Sequence, residues 1–254
     1  MLARTLGLAS FVLFAPVALL AQGAAEHITL GDQEVTAMNA SAALAHYEQA
    51  VAAEPQNYEA LWKAAREAIG LGEFETDEAE RKELFSKGEE YARKAVEANP
   101  NDAEGHFNLA RALGRVALSL GTRDRIKYAG VVREHALKAL ELNPQHPGAL
   151  HVMGVWNAEV MRLNAISRAI AKNFLGGRVF GEANWANAVR YMEQAVAVDP
   201  QRLTHYLDLG KIYADRGEKA KAREALERVV NGTPTEYKDR FYKQEAQRVL
   251  DRIK

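Results

Sequence analysis

The 254-residue chain contains no cysteine. That removes disulfides, thiolate catalysis, iron–sulfur clusters and cysteine-ligated zinc together. No GxSxG elbow and no phosphate loop ending in Gly-Lys-Ser/Thr occurs, and the GGRVFG turn at Gly176–Gly181 lacks the lysine and the preceding strand that a phosphate cradle needs. Seven histidines are present without an HExxH pair. His146 and His151 flank a proline turn at a spacing too poor to share a metal, and His106, His135 and His205 read as repeat-packing residues. No catalytic residue, metal or cofactor is therefore expected, and binding is the expected role rather than catalysis. Net charge is −1, so no bulk positive field points to nucleic acid.

Long apolar runs are also scarce, with one exception at the amino end. Arg4 precedes an almost wholly apolar stretch from Leu6 to Ala21, followed by the small residues Gly23, Ala24 and Ala25. The layout is that of a signal peptide over residues 1–25, with cleavage expected between Ala21 and Ala25. The run is short for a membrane span of about 20 residues and Pro16 interrupts it. Export to a periplasm or the exterior is the expected destination, and an uncleaved anchor would also leave the domain outside the cytoplasm. A polar lead occupies residues 26–40.

With 48% hydrophobic residues, the remainder suffices for an extensive core. Prolines are few, and five of them punctuate it: Pro55, Pro100, Pro144, Pro200 and Pro234. The last two are 34 residues apart, the tetratricopeptide period, and the longer intervals of 45, 44 and 56 residues call for longer helices or insertions. Apolar residues recur with the helical period before and after each proline, as in Ala136, Leu137, Leu140 and then Leu150, Met153, Gly154. The cleanest unit has Tyr206, Leu209, Gly210 and Tyr213 on its first helix and Ala222 and Leu226 on its second, while Tyr47 and Ala50 mark an opening half unit. The expected fold is all-α: a tetratricopeptide-repeat solenoid over residues 41–254, of helix pairs in a curved right-handed stack, capped by a C-terminal amphipathic helix from Glu236 to Ile253.

One residue past each packing stripe runs a second stripe that a stacked superhelix turns to its concave side. Its first row is Trp62, Phe107, His151 and Leu207; the next is Arg66, Arg111, Val155 and Lys211, with Arg115 nearby. Bulky apolar groups beside positive charge suit a ligand with an apolar body and an anionic end: a phospholipid, a fatty acid or a peptide carboxylate. Alternatively the aromatics complete the core and the basic groups pair with carboxylates such as Glu104, Glu159 and Asp215. Near residues 160–183 an inserted amphipathic arm carries Arg168, Ile170, Lys172 and Phe174. It fits a lid or a peripheral contact with an anionic bilayer, or an arm packed on the solenoid with solvated charges.

The sequence also resembles the regulator-of-microtubule-dynamics family across roughly residues 41–250. The resemblance is carried by Arg133-Glu134-His135, Glu141-Leu142-Asn143-Pro144, His151 with Met153-Gly154 and Trp156, Arg168 with Ile170-Ala171-Lys172 and Phe174, and Val198-Asp199-Pro200. It implies the repeat fold and a groove for phospholipid. The anchors, coiled coils and partner motifs of eukaryotic members are not evident, so microtubule binding and organelle tethering do not carry over. Two roles are thus expected for the groove: gripping a protein or peptide partner, or carrying an anionic lipid.

Overall fold

In a computed structural model the structure describes residues 15–120, 122–164, 167 and 178–253. Among them there is no strand. The helices longer than a single turn are α1 (Ala15–Thr36), α2 (Ala40–Ala53), α3 (Tyr58–Gly72), α4 (Glu78–Ala98), α5 (Ala103–Ser119), α6 (Thr122–Leu142), α7 (Pro147–Arg162), α8 (Trp185–Val198), α9 (Leu203–Asp215), α10 (Lys219–Asn231) and α11 (Asp239–Arg252). Five pairs, α1–α2 to α9–α10, stack in chain order, and α11 packs on the last pair. This is the expected solenoid with its capping helix.

The proline turns set the helix boundaries. A following proline disfavours helical backbone in the residue before it, and Glu54, Asn99 and Asp199 accordingly leave the helical region at the ends of α2, α4 and α8. After the first two of these turns the next helix begins on a side-chain cap: Asn57 accepts from the Ala60 amide at 3.0 Å and Asp102 from the Glu104 amide at 2.9 Å, whereas α9 starts after Arg202 without one. Between α9 and α10 the chain reverses through Gly217, whose φ of +76° belongs to the left-handed region.

Within pairs, small residues permit close approach. A methyl group at Gly210 would lie 2.7 Å from Leu226 Cγ and 3.3 Å from the Ala222 carbonyl, and one at Gly154 would meet Met192 and the Ala188 carbonyl. The stacked interfaces are apolar, with Ala65, Ile69, Leu113, Met153 and Trp156 in one buried cluster and Ala188, Met192, Leu209 and Ile212 in the next.

One feature differs from the sequence-based expectation in detail. Residues 26–36 of the polar lead are helical: α1 supplies the partner for the opening half unit, with Ala24 and Ile28 buried beside Ala50 and Ala60. The four arm residues Arg168, Ile170, Lys172 and Phe174 lie outside the described residues. Just after them, Phe180 is buried with its ring 6.1 Å from that of Trp156.

The stack does not end in an open edge. Phe241 of α11 stacks on Phe74, just past α3, at 4.4 Å between ring centroids, and Tyr242 meets the same ring edge-on at 5.4 Å. The Tyr242 hydroxyl donates to Glu73 at 3.3 Å across 169 residues of sequence. The capping helix therefore bridges back to the junction of α3 and α4.

Candidate binding groove

The first helices of the middle and last pairs, α3, α5, α7 and α9, turn one face toward a shared concavity of about 460 Å³, with Lys238 and Tyr242 at the start of α11 closing one side. Eight of the nine residues expected there line it: Trp62, Arg66, Phe107, Arg111, Arg115, His151, Val155 and Lys211. Leu207 does not. It is only 2% exposed and packs with Leu226, Tyr242 and Leu250, because α11 covers that side of α9. Thr204 and Asp208 take its place on the wall, one turn apart and in phase with Lys211. Trp156, Val132 and Val152 add apolar lining that the repeat register did not single out.

The basic groups are paired, and with other carboxylates than those first considered. Arg111 donates to Glu73 at 3.1 Å and to the Arg66 carbonyl at 3.3 Å, and Arg115 takes the other Glu73 oxygen. Burial pushes the Glu73 carboxyl up, but Arg115, Arg111 and Lys238 outweigh it and hold the group down at about 2. Arg66 pairs with Glu67 at 2.6 Å and lies over Trp62 at 5.3 Å. Lys211 bridges Asp208 at 3.2 Å and Glu245 at 2.6 Å. Of the carboxylates named from sequence, Glu159 and Asp215 both hold Arg162, while Glu104 meets His146 at 3.2 Å.

Charge is nonetheless uneven along the groove. Beside α11, Glu73 faces Arg111 and Arg115, and Glu236 faces Arg202 at 2.8 Å and Lys238 at 3.4 Å. Four cations share two carboxylates there. Burial, with Arg111 next, pushes the Lys238 ammonium down to about 8 against the pull of Glu236. At the Lys211 end the ratio reverses, with Asp208 and Glu245 sharing one lysine. Among the described residues no group of three or more His, Asp or Glu is placed to hold a metal ion. Nor is any helix there long and apolar enough to cross a membrane.

A stack of helix pairs with small residues at the pair contacts, proline-punctuated turns and a concave face of first helices defines a tetratricopeptide-repeat scaffold. Solved structures of that class share the architecture: a tetratricopeptide-repeat protein of Thermus thermophilus superposes with a TM-score of 0.64 at 20% identity, covering 88% of this chain and 98% of its own. PilF of Pseudomonas aeruginosa does so with a TM-score of 0.54 at 14% identity, covering 92% and 93%. Within the class, residues 27–254 match the profile of the family described as regulator of microtubule dynamics protein 1-3, and the chain belongs to that family. Regulator of microtubule dynamics protein 1 of Bos taurus is 33% identical over 165 residues, 63% of this chain and 50% of the relative. The Homo sapiens protein of the same name is 31% identical over 154 residues, 60% and 48%. The chain thus spans about half the length of the curated relatives it matches.

Proposed function

We propose that the protein is an adaptor whose concave groove grips a short extended segment of a partner protein or peptide. The observation that carries this reading is the pairing of the groove's basic residues with carboxylates. Donors and acceptors stand side by side on the wall, matching the alternating amide and carbonyl groups of a peptide, while Trp62, Phe107 and Trp156 offer apolar anchorage. A concavity of about 460 Å³ is the size of a small-ligand pocket and suits a few residues rather than the face of a folded domain. Panning a displayed peptide library against the purified protein tests it. Enriched sequences whose binding is lost in Trp62→Ala and Phe107→Ala support the reading; binders indifferent to both variants overturn it.

The uneven charge favours a second occupant of the same groove, an anionic amphiphile whose charged end sits where four cations share two carboxylates. Native mass spectrometry of the gently purified protein distinguishes the two, since retained lipid supports the amphiphile and an empty groove leaves the peptide ahead. We further propose export with removal of the leader before Ala25, on the strength of the apolar run Leu6–Ala21 and the small residues after it. Amino-terminal sequencing of the native protein checks this, and an intact Met1 in a cytoplasmic fraction refutes it.

A further inference from the structure

Six of the chain's seven histidines stand in ring-to-ring pairs joining different helices: His27 with His46, His106 with His135, and His151 with His205. The first pair only stacks, at 5.7 Å between centroids. In the other two the Nδ1 atoms lie 2.9 Å apart, a hydrogen bond with room for one proton between two nitrogens. The outer nitrogens settle which ring donates. His106 Nε2 is 3.0 Å from the Pro100 carbonyl and must carry hydrogen, so its Nδ1 accepts from His135. His151 Nε2 is 3.1 Å from Asp208 Oδ2 and donates to it, so its Nδ1 accepts from His205. His205 is 1% exposed, and its Nε2 is buried without a partner.

Neither pair can hold its full complement of protons. With both rings protonated the two Nδ1 atoms would be donors facing each other at hydrogen-bond distance, two positive charges with no acceptor between them. His205 is the least tolerant, since a proton on Nε2 would be a buried donor with nothing to receive it. The surrounding charges do not remedy this. Asp208, His151's acceptor on α9, is already engaged by Lys211, which Glu245 of α11 shares; Arg115 of α5 and Arg202 before α9 add positive charge. Burial, then His151 and Arg202, push His205 down to about 2 against Asp208. Around the other pair, burial and then His106 and Arg93 of α4 lower His135 against Glu134.

We propose that these two pairs form a proton-operated latch, and that acidification below about pH 6.5, where free histidine begins to charge, parts α7 from α9 at the groove wall. Four unfolded histidines take four protons, whereas two intact pairs take at most two. The sign follows: the fold loses stability as pH falls below the free value, and once the free histidines are charged the unfolding constant rises by at least about a hundredfold per pH unit. His151, His205 and Asp208 line the groove, so the wall that holds an occupant is the wall that loosens. The latch does not depend on what that occupant is.

Urea unfolding and hydrogen exchange of the full chain at pH 7.5 and 5.5 test this, with the double variant His135→Gln/His205→Gln as comparison. Each glutamine amide can still donate to the partner's Nδ1 but takes no proton. The unaltered chain should lose at least tenfold in folding constant over that range, and amides of α9 should gain exchange relative to α3 after correction for intrinsic rates, while the variant loses much less. An equal loss in chain and variant overturns the latch. If the variant does not fold, histidine nitrogen shifts of the unaltered chain decide instead. Protonation of His205 accompanied by lost protection of α9 supports the proposal; His205 protonating near its ordinary value with α9 still protected, or staying neutral at pH 5 with α9 fully protected, overturns it.

Discussion

Glu73 is the residue on which the groove's charge turns. It ends α3 almost fully buried and accepts from Arg111 and Tyr242, with Arg115 on the same carboxylate. Removing one member of a buried ion network costs about 3 to 5 kcal/mol, because the others stay buried and unpaired. Glu73→Gln is therefore expected to lower the urea midpoint substantially, and Arg111→Glu to do likewise by setting two carboxylates face to face. The pH dependence has a defined sign. Glu73 is held at about 2 in the fold, below its ordinary value of 4.5, so its stabilisation is present above about pH 4.5 and is lost as pH falls toward 2. A Glu73→Gln variant should show a flatter loss of melting temperature across that range than the parent. Trp62→Ala belongs to a different class: it removes apolar contact from the groove, and any loss of affinity should persist at high salt.

At the scale of the helix, glycine offers a contrast that a melting experiment can read. Replacing glycine by alanine inside a helix gains about 1 kcal/mol from propensity alone. At Gly114 on α5 nothing lies within 4 Å of the added methyl, so Gly114→Ala should stabilise by about that amount. At Gly210 the methyl would lie 2.7 Å from Leu226 Cγ and 3.3 Å from backbone of α10, and overpacking costs typically 1 to 3 kcal/mol. Gly210→Ala should thus be net destabilising. This element scale is where the sequence was most legible. Local rules govern it: pre-proline residues end helices, Asn and Asp cap them, and the helical period orients a face. Trp62, Phe107 and His151 followed that register onto the wall. Leu207 broke it because a later element, α11, claimed its side of α9 for the core. The histidine pairs escaped for a related reason. Burial of His106 and His205 was readable from the pattern, but partners 29 and 54 residues away depend on how helices stack.

For the whole molecule, the contact of α11 with the junction after α3 matters more than its small area suggests. Nothing in the local sequence announces it, since Phe74 and Phe241 sit outside the repeat stripes and meet only through the curvature of the stack. A double-mutant cycle on Phe74→Ala and Phe241→Ala should return a coupling of about 0.5 to 1.5 kcal/mol, the range for aromatic pairs. Additive effects would mean the two rings do not meet in solution. An open array of repeats can shed a terminal pair and keep the rest, because each unit answers only to its neighbours. Here α3, in the second helix pair, completes its surroundings only with a helix of 14 residues that follows the fifth. During synthesis the early repeats must therefore wait, with Phe74 uncovered and Glu73 without its tyrosine, until α11, whose Tyr242 lies 169 residues beyond Glu73, has left the ribosome.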